Sequence, residues 1–386
     1  MRATHASPPR YLVAHPGAEL YGSDRVMLES VAGFVQAGVD VVVALPETGP
    51  LVQELRSAGA RIEIVPALVL RKSLLRPRNW GLLLSSAFRG YRAARRLMRE
   101  HTPDAVYVST MTLPLWPVAA AVGRVPCLVH LHEGEQGASR LVKRGIYAPV
   151  ALARDIVVNS EFSRGVLHQA FRRLAERAHV VYNGVAGPAT PSPARPDLVS
   201  PARLVYIGRL SPRKGPDLIV EALSLLPADL GEVELDIVGD VFTGYEWYEE
   251  QLRERIDELG LGGRVRLLGF HPQVWDAVDA ADIVVIPSRL DEPFGNTAVE
   301  GVLAGRVVLV SDTSGLREAT AGVRTAIPFA PDDAPALAAA IVDAHRRWPE
   351  LQPLLADEAA AAAERFAPAR YRAEMADRMA AITTAR

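Results

Sequence analysis

Short runs of β-branched and aliphatic residues alternate with amphipathic stretches along almost all of this 386-residue chain. That alternation restricts it to parallel sheets covered by helices on both faces. The pattern opens with a strand at 11–15 and a loop of small residues. A helix follows at 24–37, where Val26, Leu28, Val31, Phe34 and Val35 are the apolar positions. Gly38 stands where a helix end needs a residue free to turn left-handed, and 39–45 is a strand apolar enough to be buried on both faces. Helix 51–58 and strands 61–65, 104–109, 127–131, 156–159 and 180–183 continue the series. A second series starts at 204–208 and runs through 235–239, 265–268, 283–286 and 307–310, and the tail from Ala334 is helical and Ala-rich.

A chain of this length exceeds one ordinary core. The Pro-rich stretch from Gly187 to Pro201 separates the two series and reads as a linker. The expected division is an N-terminal Rossmann-like domain (1–190), a linker (191–201), a C-terminal Rossmann-like domain (202–365) and a terminal helix (366–386) packing back on the first domain. Doubly wound domains hold ligands at the carboxyl ends of their strands, so the expected active site is a cleft between the two. The lone Cys127 excludes an internal disulfide framework and a cysteine-based zinc site. The longest apolar runs are broken by Arg, Pro or Asp before reaching membrane-spanning length, and residues 1–10 lack the apolar core of a signal peptide, so a cytoplasmic location is expected.

Two segments carry chemistry. Gly208-Arg209-Leu210-Ser211-Pro212-Arg213-Lys214-Gly215 follows a strand and precedes a helix. Cations around a glycine-containing turn at a helix entrance form a clamp for a diphosphate. The second is Glu292-Pro293-Phe294-Gly295-Asn296-Thr297-Ala298-Val299-Glu300. Its Gly295-Asn296-Thr297 is expected to open a helix whose first N–H groups are available to an anion, with its two carboxylates flanking that end. Carboxylates are poor phosphate ligands but good acceptors for sugar and ribose hydroxyls. The combination describes a nucleotide sugar better than a bare nucleotide.

Gly208-Arg209…Lys214-Gly215 together with Glu292-x7-Glu300 resembles the family 4 glycosyltransferases of GT-B fold, and the resemblance covers nearly the whole chain. It implies that Arg209 and Lys214 bind the donor diphosphate, that Glu292 contacts the transferred sugar, and that Glu300 contacts the ribose. The backbone at Phe294, Gly295 and Asn296 would meet sugar and phosphates. Gly269-Phe270-His271 resembles the segment that packs against the base, and Val238-Gly239-Asp240 the family's Val-Gly-Asp turn. In the first half, His130-Leu131-His132-Glu133 resembles the strand end where a histidine approaches the sugar. His132 fits that place better than His130, which lies further back in the strand. Asn159-Ser160-Glu161-Phe162-Ser163 and Asn183-Gly184-Val185 resemble further family signatures. Tyr21-Gly22-Ser23-Asp24-Arg25 departs from the usual Gly-Gly-Ala-Glu: Gly22 keeps the backbone open, but Asp24 replaces the glutamate.

The expected reaction moves a sugar from a nucleotide-sugar donor, such as a UDP- or GDP-sugar, to a glycan, lipid-linked or small-molecule acceptor, as in cell-envelope or polysaccharide biosynthesis. The resemblance implies retention of anomeric configuration. No Asp-x-Asp triplet is present to hold a metal on the diphosphate. Arg209, Lys214 and the helix end at Gly295 are expected to carry the charge without metal or cofactor. A nucleotide-sugar epimerase of the same fold and a non-catalytic partner subunit are the competing readings.

Charge is unevenly divided. Residues 1–190 carry 23 Lys/Arg against 14 Asp/Glu, a net +9, and the remainder carries 20 against 31, a net −11. The basic excess concentrates in 70–101, where Arg71, Lys72, Arg76, Arg78, Arg89, Arg92, Arg95, Arg96 and Arg99 are interleaved with Leu74, Leu75, Trp80, Leu82, Leu83, Leu84 and Phe88. Such a segment reads either as an ordinary domain helix with one basic face or as one that can lie on an anionic membrane surface, which would make the acceptor a lipid-linked sugar or glycolipid. Nucleic acid is a poorer partner, since no recognised nucleic-acid motif is present and the second half is acidic.

Overall fold

The computed structural model of the protein describes residues 8–71, 74, 76–134, 139–242, 244–271 and 274–384. Lys72 and Leu75 of the basic segment lie outside the described residues. The chain forms two compact units, one of residues 1–184 with 368–386 and one of residues 185–367. The Pro-rich stretch is thus counted with the second unit, where the Arg195 Nε donates to Asp282 Oδ1 at 2.7 Å.

The strands of the first unit are β1 (Arg10–Ala14), β2 (Asp40–Leu45), β3 (Arg61–Ile64), β4 (Ala105–Val108), β5 (Cys127–Leu131), β6 (Asp155–Val158) and β7 (Ala178–Val180). All pair in parallel in the order β3-β2-β1-β4-β5-β6-β7. Side chains alternate across this sheet, so one face packs Leu12, Val106 and Val129 and the other Tyr11, Ala105 and Leu128. The second face is covered by the helix Gly22–Gln36 and by the C-terminal helix Pro368–Thr384, whose Tyr371, Met375, Met379 and Ile382 are buried there. These helices cross closely because Gly33 has no side chain: a Cβ there would meet the Arg372 carbonyl oxygen at 2.8 Å.

The second unit contains β8 (Ala202–Ile207), β9 (Val233–Val238), β10 (Val265–Gly269), β11 (Ile283–Ile286), β12 (Val307–Ser311) and β13 (Ala326–Phe329), in the order β10-β9-β8-β11-β12-β13. All of its pairings are parallel. The edge strand β13 goes beyond the sequence expectation. Pro328 within it cannot donate to a ladder, and an edge position tolerates that because β13 has a sheet neighbour on only one side.

In both sheets the winding reverses once, between β1 and β4 in the first and between β8 and β11 in the second. A doubly wound sheet opens a crevice at that reversal, beyond the carboxyl ends of the strands.

Candidate active site

In the second unit the loop after β8 and the loop after β11 meet at the reversal. Gly208 leaves β8 with φ +157, and the Tyr206 hydroxyl donates to the Arg209 carbonyl at 2.7 Å. Ser211 O accepts from both Lys214 N and Gly215 N at 3.0 Å, closing the turn. Gly215, at φ +66, then opens the helix Pro216–Ser224. A Cβ at Gly215 would stand 2.6 Å from the Pro287 carbonyl oxygen, so the missing side chain lets the cationic loop lie against the end of β11.

That approach joins Lys214 to Glu292. The Lys214 Nζ donates to Glu292 Oε1 at 2.7 Å, Ser288 Oγ donates to the same oxygen at 2.6 Å, and an Arg213 nitrogen lies 3.5 Å from Oε2. Glu292 is buried. Burial alone would raise its carboxyl pKa, but the charges of Lys214 and Arg213 prevail and hold it at about 2, so it is ionised at neutral pH. Behind the pair, Asp217 accepts from both terminal nitrogens of Arg289 at 2.8 and 2.7 Å, and also from the Tyr248 hydroxyl. The Arg289 N–H donates to Arg213 O at 2.9 Å. Sequence reasoning placed Lys214 and Glu292 in the site but missed Ser288, Arg289 and Asp217. Their types are ordinary for surface loops, and only the fold brings them to this strand end.

The Glu292–Asn296 loop continues along the same edge. Phe294 is buried against Phe366, ring centroids 5.7 Å apart. Gly295 caps the helix Asn296–Leu303 with φ +121, and Glu300 sits half-buried on that helix. The loop is braced by Gly315, which sequence reasoning did not single out. A Cβ on Gly315 would meet the Glu292 carbonyl oxygen at 1.9 Å and Phe294 N at 2.9 Å. Beside β8, Gly239 leaves β9 at φ +147, and a Cβ there would stand 1.8 Å from the Gly208 carbonyl oxygen. Gly239 N donates to Gly269 O at 2.8 Å, which brings the β10 end and the exposed Phe270 beside it. The Arg209 guanidinium carbon lies 3.9 Å over the Phe242 ring.

In the first unit, His15 at the end of β1 and Ser109 after β4 meet at the other reversal, with His15 Nδ1 2.6 Å from Ser109 Oγ. His15 Nε2 lies 2.7 Å from Asp24 Oδ1, and the other Asp24 oxygen accepts from Tyr21 N at 2.8 Å. Asp24 therefore ties the Gly22 turn, where the helix Gly22–Gln36 begins, to the β1 end. This accounts for the aspartate physically: its reach is matched to His15 on one side and to its own helix entrance on the other.

His130 is fully buried and lies 2.8 Å from the Tyr107 hydroxyl through Nδ1. Its ring contacts that of His132 at 3.9 Å between centroids. His132 is also buried, and its Nε2 has no hydrogen-bond partner among the described residues. Burial and the neighbouring His15 push the His132 imidazole down to about 3. Glu133 accepts from His132 N at 3.1 Å and from Thr110 Oγ1, linking the β4 and β5 ends, and burial pushes its carboxyl up to about 6.

The depressed His132 pKa makes stability depend on pH. Its folded pKa lies below the ordinary 6.5, so the unfolded chain binds more protons between pH 6.5 and 3. The neutral imidazole therefore contributes its full stability above pH 6.5 and progressively less as the pH falls towards 3. In denaturant titrations at pH 7 and pH 5, His132→Gln is expected to gain stability relative to wild type at the lower pH. A difference that stays constant between the two would contradict the assignment.

A model of the group 1 glycosyl transferases matches residues 195–357, and one of Glycosyltransferase Family 4 matches residues 21–186. The chain belongs to the family 4 glycosyltransferases. The chain is 33% identical over 164 residues to the glycogen synthase of Mycobacterium tuberculosis, a match covering 42% of this chain and 38% of that enzyme. It thus spans well under half of that relative's length. It is 28% identical over 336 residues to D-inositol 3-phosphate glycosyltransferase 1 of Catenulispora acidiphila, covering 81% of this chain and 79% of the relative. Its fold is that of Anabaena HepE, whose crystal structure is in complex with UDP and glucose. The TM-score is 0.80 at 23% identity, over 96% of this chain and 99% of HepE. The two Rossmann-like units are those of the GT-B fold.

Proposed function

We propose that this family 4 glycosyltransferase moves a hexose from a nucleotide-sugar donor to a glycan, lipid-linked or small-molecule acceptor, with retention of configuration and without a metal. The observation that carries the reading is the Lys214–Glu292 pair at the β8/β11 reversal, with Arg213 beside it. Two cations and a buried carboxylate converge there on the place where a doubly wound sheet takes its ligand. Bond breaking at the anomeric carbon builds an oxocarbenium-like centre and puts negative charge on the departing diphosphate. Arg209, Lys214 and the N–H groups opening the helix Asn296–Leu303 are assigned to that diphosphate. Glu292, ionised and fixed by Lys214 and Ser288, is assigned to the hydroxyls of the transferred sugar, and Glu300 to the ribose. Gly208, Gly239, Phe270, Phe294, Gly295 and Asn296 complete the donor subsite, and Gly22 and His132 are assigned to the phosphate and sugar. We infer a same-face route in which the leaving phosphate accepts the acceptor's proton, because no residue of the sequence stands out as the nucleophile of a double displacement.

A thermal-shift screen across UDP-, GDP- and ADP-sugars is expected to identify one base that stabilises the protein. Turnover of that donor should then require an added acceptor. Turnover without acceptor, giving an isomerised nucleotide sugar, would point to an epimerase, and the absence of any nucleotide binding to a non-catalytic partner.

The acceptor side is proposed to include an anionic membrane. The helix Trp80–His101 buries Gly90, Ala93, Ala94, Leu97 and Met98 but has no buried residue in its first ten positions. Trp80, Leu84 and Phe88 are exposed there at i, i+4 and i+8, and Arg92 and Arg96 carry the same row onward. The Arg92 guanidinium stands 5.4 Å over the Phe88 ring. An apolar row continued by arginines fits a headgroup boundary. In flotation assays with vesicles containing phosphatidylglycerol, Leu84→Ser with Phe88→Ser is expected to reduce binding roughly tenfold or more, since it removes two large apolar contacts. No vesicle binding by the wild type would remove this part of the proposal.

A further inference from the structure

Arg209 is held by a ring that no motif marks. Phe242 stands in the loop after β9, half-exposed, with the Arg209 guanidinium carbon 3.9 Å over its centroid. The contact is set by backbone on both sides. Leu210 N donates to Asp240 O and Gly208 N to Val238 O, each at 3.0 Å, so the loops after β8 and β9 run side by side. Val241 N donates to Asp240 Oδ1 at 2.7 Å, and Tyr245 N to Phe242 O at 2.8 Å, fixing the stretch that carries the ring. The Tyr206 hydroxyl holds the Arg209 carbonyl from below. Both ends of the Arg209 side chain are thereby located: the main chain by Tyr206, the guanidinium by Phe242.

We propose that Phe242 is a positioning residue that presents Arg209 to the donor diphosphate. The inference rests on the donor reading above and deepens it. A ring stacked on the flat face of a guanidinium restricts the group's rotation without using its N–H donors, which lie in the guanidinium plane. A long side chain that would otherwise lose its freedom on binding has lost part of it beforehand. The ring also excludes water from one face of the cation, which strengthens its attraction for phosphate oxygens. The aromatic face, rather than bulk, is the property required, so an aliphatic replacement of similar size does not substitute for it.

The test is calorimetric titration of UDP, GDP and ADP into wild type, Phe242→Leu, Phe242→Tyr, Arg209→Ala and the Phe242→Leu/Arg209→Ala double variant. Phe242→Leu is expected to weaken the diphosphate that binds by roughly 3- to 30-fold, the range of a cation–π contact. Phe242→Tyr, which keeps the ring, should recover most of that loss. In the Arg209→Ala background, Phe242→Leu should have no further effect. Equal affinities for Phe242→Leu and wild type would overturn the inference, as would a Phe242→Leu loss that persists undiminished without Arg209. If wild type binds none of the three diphosphates, the donor reading itself fails and this inference with it.

Discussion

Replacing Lys214 with alanine is expected to lower turnover roughly 100- to 1,000-fold, the loss typical when one preorganised group facing developing charge is removed. His132→Ala should cost less, since its neutral imidazole supplies no charge to the leaving group. The Lys214 variant should also lose stability, because Glu292 keeps its burial but loses the partner at 2.7 Å. Stranding a buried charge costs up to about 3–5 kcal/mol, and Arg213 at 3.5 Å moderates that figure. The two effects separate in a double variant. Lys214→Ala with Glu292→Gln removes the stranded charge, so it should recover much of the stability and none of the activity. Steady-state rates and denaturation midpoints for the three variants would show this. Near-wild-type rates for both Lys214→Ala and His132→Ala would rule out the assignment.

Gly315→Ala is expected to cut donor affinity at least roughly tenfold while leaving secondary structure intact. A methyl group 1.9 Å from the Glu292 carbonyl cannot be accommodated in place. Overpacking of this kind costs about 1–3 kcal/mol, and here the backbone that must give way runs from Glu292 to Phe294. Gly263→Ala is the matched control, since a Cβ there meets nothing within 4 Å. It should leave binding unchanged. Circular dichroism and titration of the donor found in the thermal-shift screen would compare the two. A Gly315→Ala protein that binds donor like the control would show that the loop position is immaterial.

Strands such as β2 and β11 are legible because buried parallel strands need uninterrupted runs of apolar, mostly β-branched residues. The edge strand Ala326–Phe329 is not, because Pro328 contradicts the pattern of a central strand. The cationic loop and the Glu292-x7-Glu300 segment are legible as separate motifs. Their ion pair is not, since Lys214 and Glu292 are 78 residues apart and only the neighbouring of β8 and β11 joins them. Asp24 illustrates the same limit. In sequence it is a departure from the family pattern, and in the fold it bridges His15 and the Tyr21 backbone. Gly315 and Phe242 leave no signal in a single sequence, because what makes them matter is a backbone or a guanidinium contributed by another loop.

The central claim is that the cations between β8 and β11 recognise a diphosphate. Calorimetric comparison of a nucleoside diphosphate with its monophosphate tests it most directly. The wild type should prefer the diphosphate by roughly tenfold or more, as charge-assisted bonds to the second phosphate require. Lys214→Ala should lose most of that preference while still binding the monophosphate. A wild type indifferent to the second phosphate, or a Lys214→Ala variant that keeps the full preference, would contradict the account.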